Sequence, residues 1–195
     1  NKSGKEIVAT ANHKFFTIAG WKRLDQLQVR DRLATPRVIN VSAGKGKVLS
    51  DDRLIVLAHM IGDGCYVRRQ PLHYTNSDLA LIHAVETAAV NEFAVRPRLV
   101  PQQNWYHLYL ASEEHLARGR RNPIVKWFDE ELGIYGQHSR QKLIPEVIFC
   151  QSQDKLVLFL KHLWATDGCI HINKRSSSPL VRIYYASGSE LLVRQ

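Results

Sequence analysis

One short run occurs twice in this chain, and no other feature constrains its fold as strongly. Ser50-Asp51-Asp52-Arg53 introduces an apolar stretch ending Met60-Ile61-Gly62-Asp63-Gly64-Cys65. Ser152-Gln153-Asp154-Lys155 introduces one ending Trp164-Ala165-Thr166-Asp167-Gly168-Cys169. Each copy reads as a capped helix: the serine accepts from an orphan N–H group, the acids suit the positive helix start, and the glycine supplies a left-handed residue to end it. After each Asp-Gly-Cys, alternating residues predict a strand pair, and a polar segment then leads into another helix, His73 to Leu79 aligning with Tyr185 to Leu191. In the first copy that helix has Leu79, Ile82, Val85 and Ala89 on one face. A hairpin follows from Arg98 to Leu110, turning at Gln102-Gln103-Asn104, and then a helix bearing Val125, Trp127, Phe128 and Leu132. The unit is αββαββα in an α+β chain. The second copy breaks off at its second helix, so the chain reads as a fragment.

Ahead of the repeats, residues 5–10 and 31–38 read as short strands. Gly20-Trp21 opens a turn before a brief helical pattern at Leu24 and Leu27. Ser42, Gly44 and Gly46 mark a boundary between patterned regions. The expected organisation is a β-rich opening over 1–39, a linker over 40–49, a first repeat over 50–151 and a second over 152–195.

Hydrophobic residues at 45%, without any low-complexity tract, make this a folded chain. Lysine and arginine outnumber aspartate and glutamate by 27 to 18, and the formal charge of +9 makes a polyanion, nucleic acid first, the expected partner. Cys65, Cys150 and Cys169 are odd in number, dispersed and without a C-x-x-C pair, which argues against a disulfide framework or a zinc site and fits a reducing cytoplasm. No apolar run approaches the roughly 18 residues of a membrane span, so no membrane partner is expected.

Asp63 and Asp167 each close a helix whose C-terminal end already carries about half a negative charge. One such placement is ordinary turn chemistry. Two at equivalent positions imply a cation held between them, and carboxylates with open positions suit Mg²⁺ completed by phosphate oxygens. With a basic protein, those phosphates would be DNA. Ala58 and Gly62, at i and i+4, give the first helix a small-residue stripe for close approach, with Ala165 and Thr166 near the matching place on the second. The bland alternative makes these core positions and the acids turn caps, and the duplication is what weighs against it.

These residues carry a family resemblance. Val56-Leu57-Ala58-His59-Met60-Ile61-Gly62-Asp63-Gly64 resembles the LAGLIDADG motif of DOD-type homing endonucleases, and Leu160-Lys161-His162-Leu163-Trp164-Ala165-Thr166-Asp167-Gly168 resembles its second copy. Ala58 replaces a common glycine, while His162 and Lys161 are bulkier than is usual there. The resemblance implies a pseudo-twofold nuclease fold in a single chain, a monomeric pseudo-dimer. It also implies site-specific, Mg²⁺-dependent hydrolysis of both strands of double-stranded DNA, with Asp63 and Asp167 as catalytic metal ligands. Lys142-Leu143-Ile144-Pro145 is similar to the Lys-x-x-Pro segment of intein endonucleases, which implies a catalytic Lys142 near the metals. By residue type alone Lys142 reads more readily as a surface lysine before a proline-defined strand or turn, and only its location between the two repeated motifs favours catalysis.

Thr10-Ala11-Asn12-His13 resembles the Thr-x-x-His block of inteins, which implies that Thr10 and His13 belong to part of a splicing (Hint) domain. The segment from His13 to Arg37 resembles inteins of replicative DNA helicases of the DnaB type, making such host exteins a partner. DNA-binding candidates are Arg68, Arg69, His73 and Arg98 in the first repeat and Lys174, Arg175 and Arg182 in the second, with Ser176-Ser177-Ser178 as a loop over the DNA backbone. Arg118, Arg120 and Arg121 read equally as a solvated loop. Two other functions stay open: a DNA-binding module without cleavage, and a splicing element carrying a decayed nuclease.

Overall fold

The computed structural model describes residues 6–35, 46–114, 116, 120–173 and 180–195. The chain forms two compact units, Asn1–Val41 and Ser42–Gln195. It is a mixed α+β structure with small antiparallel sheets.

In the first unit, β1 (Lys14–Thr17) and β2 (Gly20–Arg23) form an antiparallel hairpin, with Phe16 opposite Trp21, and a single 3-10 turn follows at Leu24–Gln26. The strands expected over 5–10 and 31–38 do not form among the described residues, where only Leu33 bridges to Thr17. Gly20-Trp21 is no turn but the start of β2. The Thr17 hydroxyl closes the tight connection instead, donating to the Gly20 carbonyl at 2.7 Å and accepting from the Ala19 amide at 3.1 Å. Gly20 leaves that turn at φ +95, a conformation glycine adopts without steric cost. Val8, Ile18, Trp21 and Val29 are exposed, and no described residue of this unit enters the hydrophobic core.

The second unit is built around α1 (Asp51–Asp63). Ser50 caps it, its side chain accepting from the Arg53 amide at 3.1 Å. Leu54, Val56, Leu57, Ala58, His59, Met60 and Ile61 are all buried, so α1 is apolar around most of its circumference, as a central helix must be. One side meets α5 (Gln153–Asp167), and another meets α2 (Leu79–Glu92) and the sheet. That sheet orders its strands β3-β4-β6-β5, all antiparallel: β3 (Gly64–Cys65), β4 (His73–Asn76), β5 (Val95–Pro101) and β6 (Tyr106–Ser112). Strand alternation sends Tyr74, Leu108, Leu110 and Val95 into the core. On α2, capped by Asp78, Ile82, Val85, Ala88 and Ala89 face inward, while Leu79 at the first position is 42% exposed.

Next, α3 (Pro123–Lys126) opens with Pro at its first position and an Asn122 cap, and continues into a wider π-type turn over Trp127–Glu131. A short α4 (Glu146–Phe149) leads to α5. Buried Gln151 accepts from the Leu49 amide and donates to the Lys47 and Val147 carbonyls, pinning the approach to α1 against the turn before α5. After α5 come the two-stranded ribbon β7 (Gly168–Asn173) and β8 (Leu180–Tyr185) and then α6 (Glu190–Arg194), capped by Ser189.

Three details differ from the sequence expectation. Gly64 and Gly168 have φ of −86 and −77, so neither is left-handed. Glycine is required there by crowding: a Cβ would lie 2.5 Å from the Met60 oxygen at Gly64 and 2.4 Å from the Trp164 oxygen at Gly168. The two serines are also unequal, because Ser152 makes no side-chain capping bond. Finally, Gly64 pairs with Tyr74 and Gly168 with Tyr185, so Tyr74, not His73, is the counterpart of Tyr185. The sequence alignment of these segments is one residue out of register.

A candidate metal and nucleic-acid site

α1 and α5 run parallel: Lys155 Nζ reaches Asp51 Oδ1 at 2.9 Å near their starts, and Gly62 lies against Thr166 at their ends. The contact is close enough that a Cβ on Gly62 would fall 2.1 Å from Thr166 Oγ1. Bulky His162 does not hold the helices apart, because its Nδ1 sits 3.0 Å from Nε2 of fully buried His59, whose Nδ1 is 3.0 Å from the Tyr74 hydroxyl. Ala165, expected at the contact, is exposed.

This packing gathers two negative helix ends and their terminal carboxylates. Burial raises the pKa of Asp63 above the ordinary carboxylate value, and the negative charge of Asp167 adds to the rise. Opposing it, the Asn76 amide donates to Asp63 Oδ2 at 3.0 Å and the Lys142 charge lies near. Asp167 Oδ2 accepts from the Tyr185 hydroxyl at 3.4 Å. Burial and then Asp167 push that hydroxyl up to about 12.

Lys142 lies in the segment between a 3-10 turn (Ser139–Gln141) and α4. It is buried, and its Nζ donates to the carbonyls of Gly62 at 2.8 Å, Gly64 at 2.9 Å and, more distantly, Met60 at 3.4 Å. The Gly62 carbonyl is in the last turn of α1, where the helix itself supplies no partner. Burial draws the pKa of Lys142 down to about 8, while the negative charges of Asp63 and Asp167 favour the ammonium form. Its own carbonyl accepts from Ser189 Oγ at 2.6 Å, tying it to the cap of α6. Lys142 and Asp167 line, with Gly62, Ser139 and Ser187, a cleft of about 400 Å³.

No group of three His, Cys, Asp or Glu side chains able to hold a metal occurs among the described residues. The donors that are present, two carboxylates sharing a crowded negative site, suit a hard cation taking few protein ligands and completing its shell with water or phosphate. All three cysteines are free thiols.

Of the expected nucleic-acid contacts, His73 and Arg98 lie on the solvent side of the four-stranded sheet. There they meet residues the sequence reading missed. His107 packs edge-on against His73 with ring centroids 4.9 Å apart, and the Arg98 guanidinium lies 5.0 Å above the Tyr109 ring. Arg96 shares this face. Cross-strand pairing of His73 with Tyr109 and of Arg98 with Tyr109 is the cause, and register is what the sequence leaves unspecified. Arg68 and Arg69 sit in the β3–β4 loop, not on strands; Arg68 leans on Tyr135 and Asp129, and Arg69 has φ +65. Arg182 is exposed on β8. Lys174, Arg175, Ser176–Ser178 and Arg118 lie outside the described residues, while Arg120 and Arg121 pair with Glu114 and Asp129. Asn76 and Tyr185, which touch the acids, were likewise missed as site residues.

In the first unit, Thr10 Oγ1 lies 2.7 Å from Asn12 Oδ1, and the His13 amide donates to the Thr10 carbonyl at 2.9 Å. Both side chains are exposed, with the His13 ring edge-on to Phe15.

No family model matches the chain. It is 42% identical over 193 residues to the replicative DNA helicase DnaB of Rhodothermus marinus, a match covering 98% of this chain and 20% of the relative. It is 29% identical over 198 residues to the protein RecA of Mycobacterium tuberculosis, covering 98% of this chain and 23% of the relative. It is 24% identical over 199 residues to the ribonucleoside-diphosphate reductase NrdEB subunit alpha of Bacillus subtilis, covering 95% of this chain and 18% of the relative. The chain thus spans about a fifth of the length of the relatives it matches. One shared segment in proteins with three such different names suggests an intein region. No helix among the described residues is long and apolar enough to cross a membrane.

Proposed function

We propose that the chain is the endonuclease portion of an intein, with part of the splicing fold ahead of it, and that it hydrolyses both strands of double-stranded DNA with Mg²⁺. The observation that carries this reading is the pair of acids at the ends of parallel helices in van der Waals contact, where Asp167 raises the pKa of Asp63. Without a bound cation, this is a costly place for two carboxylates. The repeated Asp-Gly helix ends and the pseudo-twofold sheets fit a LAGLIDADG fold, and Thr10 and His13 fit the edge of a Hint domain.

Asp63 and Asp167 would hold the metal. A Mg²⁺ ion there would polarise the scissile phosphodiester for attack by water. Asn76 and Tyr185 orient the two carboxylates by hydrogen bonding to one oxygen of each. Lys142 supplies a fixed positive charge beside them, able to offset negative charge growing on phosphate, and its bonds to the α1 carbonyls keep the ammonium in place. The basic and aromatic face around Arg98, Tyr109, His73 and His107 is a strand surface of the kind that enters a major groove. The host exteins are proposed to be a replicative helicase, in keeping with the highest of the quoted identities.

The test incubates the intact parent protein with DNA carrying its uninterrupted host allele and Mg²⁺. A defined double-strand break is expected, at least 100-fold slower in the Asp63→Asn, Asp167→Asn double variant. Equal cutting by that variant rejects the mechanism, and tight binding without any break assigns the chain to a DNA-binding module instead.

A further inference from the structure

The contacts between α1 and α5 have a pattern that the pseudo-symmetry makes legible. Asp63 and Asp167 are equivalent, and they lie 104 residues apart. Asp51 and Lys155, in contact at 2.9 Å, have the same separation of 104. So do Gly62 and Thr166, which touch at the other end. Residues separated by that offset occupy the same place in their respective repeats, so these are positions where each helix faces its own counterpart across the pseudo-twofold axis. At both, the two helices carry opposites: an acid against a base, and no side chain against a β-branched one. A third contact behaves likewise. His59 meets His162, and His162 is the counterpart of Ala58, while Leu163 is the counterpart of His59.

Pairing either helix with a copy of itself undoes every one of these fits. Two α1 helices would set Asp51 against Asp51, lack the Thr166 side chain that packs on Gly62 and face buried His59 with a methyl group, stranding its ring nitrogen. Two α5 helices would set Lys155 against Lys155 and force Thr166 onto Thr166. Even a single Cβ in place of Gly62 would lie 2.5 Å from Thr166 Cβ, a clash that no side-chain rotation relieves.

We infer that these positions form a pairing code by which α1 accepts α5 and rejects a second α1, so that neither repeat can build a symmetric dimer of itself. A second copy of this chain could engage the same surface only by exchanging α5. The code fixes the asymmetry of the molecule, and with it two different sheets side by side, whether or not the acids cut DNA.

Reciprocal exchange in the full chain tests it, read by thermal unfolding. Gly62→Thr alone is expected to lower Tm by at least about 5 °C, through overpacking. Adding Thr166→Gly restores the complementarity with its sense reversed and recovers at least half of that loss. If Gly62→Thr alone does not fold, a cooperative transition in the exchanged chain still supports the code. The surface pair gives a second reading that carries no risk of misfolding: Asp51→Lys and Lys155→Asp each lower Tm by about 1–3 °C at low salt, and together they return it to the starting value. Losses that simply add in either exchange, or a Gly62→Thr chain with unchanged Tm, overturn the inference.

Discussion

His59 concentrates the physics of the helix pair in one side chain. Burial, helped by the charge of His162, brings its pKa down to about 4 from the ordinary 6.5. In the unfolded chain the imidazole takes up a proton near 6.5, while the folded chain refuses it until about 4. Its contribution is therefore complete above about pH 6.5 and drains away as pH falls toward 4, by on the order of 3 kcal/mol in all. Urea unfolding at pH 7 and pH 5 reads this directly. The wild-type chain should lose about 2 kcal/mol more over that interval than the His59→Leu variant, and equal losses would show that His59 is not the buried neutral base described. The sequence displayed Asp63 and Asp167 because helix ends have local signatures, and Lys142 only through the resemblance of Lys142-Leu143-Ile144-Pro145 to a Lys-x-x-Pro segment. It did not display Asn76, Tyr185, His107 or Tyr109, whose importance comes from strand register, and aligning His73 instead of Tyr74 with Tyr185 left the two repeats one residue out of step.

Among the elements, the two copies of the central helix look alike in sequence and are built differently. Ser50 accepts from the Arg53 amide, while Ser152 forms no side-chain cap bond. Ser50→Ala should therefore cost about 1 kcal/mol and Ser152→Ala less than about 0.5 kcal/mol, measured by urea unfolding at pH 7. Equal costs would mean that the caps are equivalent after all. The helices α1, α2 and α5 and the β5–β6 hairpin were legible because apolar periodicity runs through each of them. The opening segment was not. Its short β1–β2 hairpin buries almost nothing, so hydrophobic alternation carried no signal, and the turn is set by the Thr17 hydroxyl and the φ of Gly20. The role given to Gly64 and Gly168 was wrong for a related reason: a glycine after a helix announces a special backbone requirement without saying whether that requirement is φ or space.

At the scale of the molecule, the hydrophobic core formed by the described residues lies within the second unit, where α1 is enclosed by α5, α2 and the sheet. That enclosure fixes two acids at neighbouring helix ends, beside a lysine that caps one of them. Asp63 and Asp167 are proposed to share a cation, and paramagnetic broadening by Mn²⁺ tests this without any need for cleavage. In amide spectra of the chain, one equivalent of Mn²⁺ should broaden residues 62–65 and 166–169 together at a single midpoint, with the effect lost in the Asp63→Asn, Asp167→Asn variant. Broadening of the two segments at separate midpoints, or broadening that persists in that variant, would contradict a shared site.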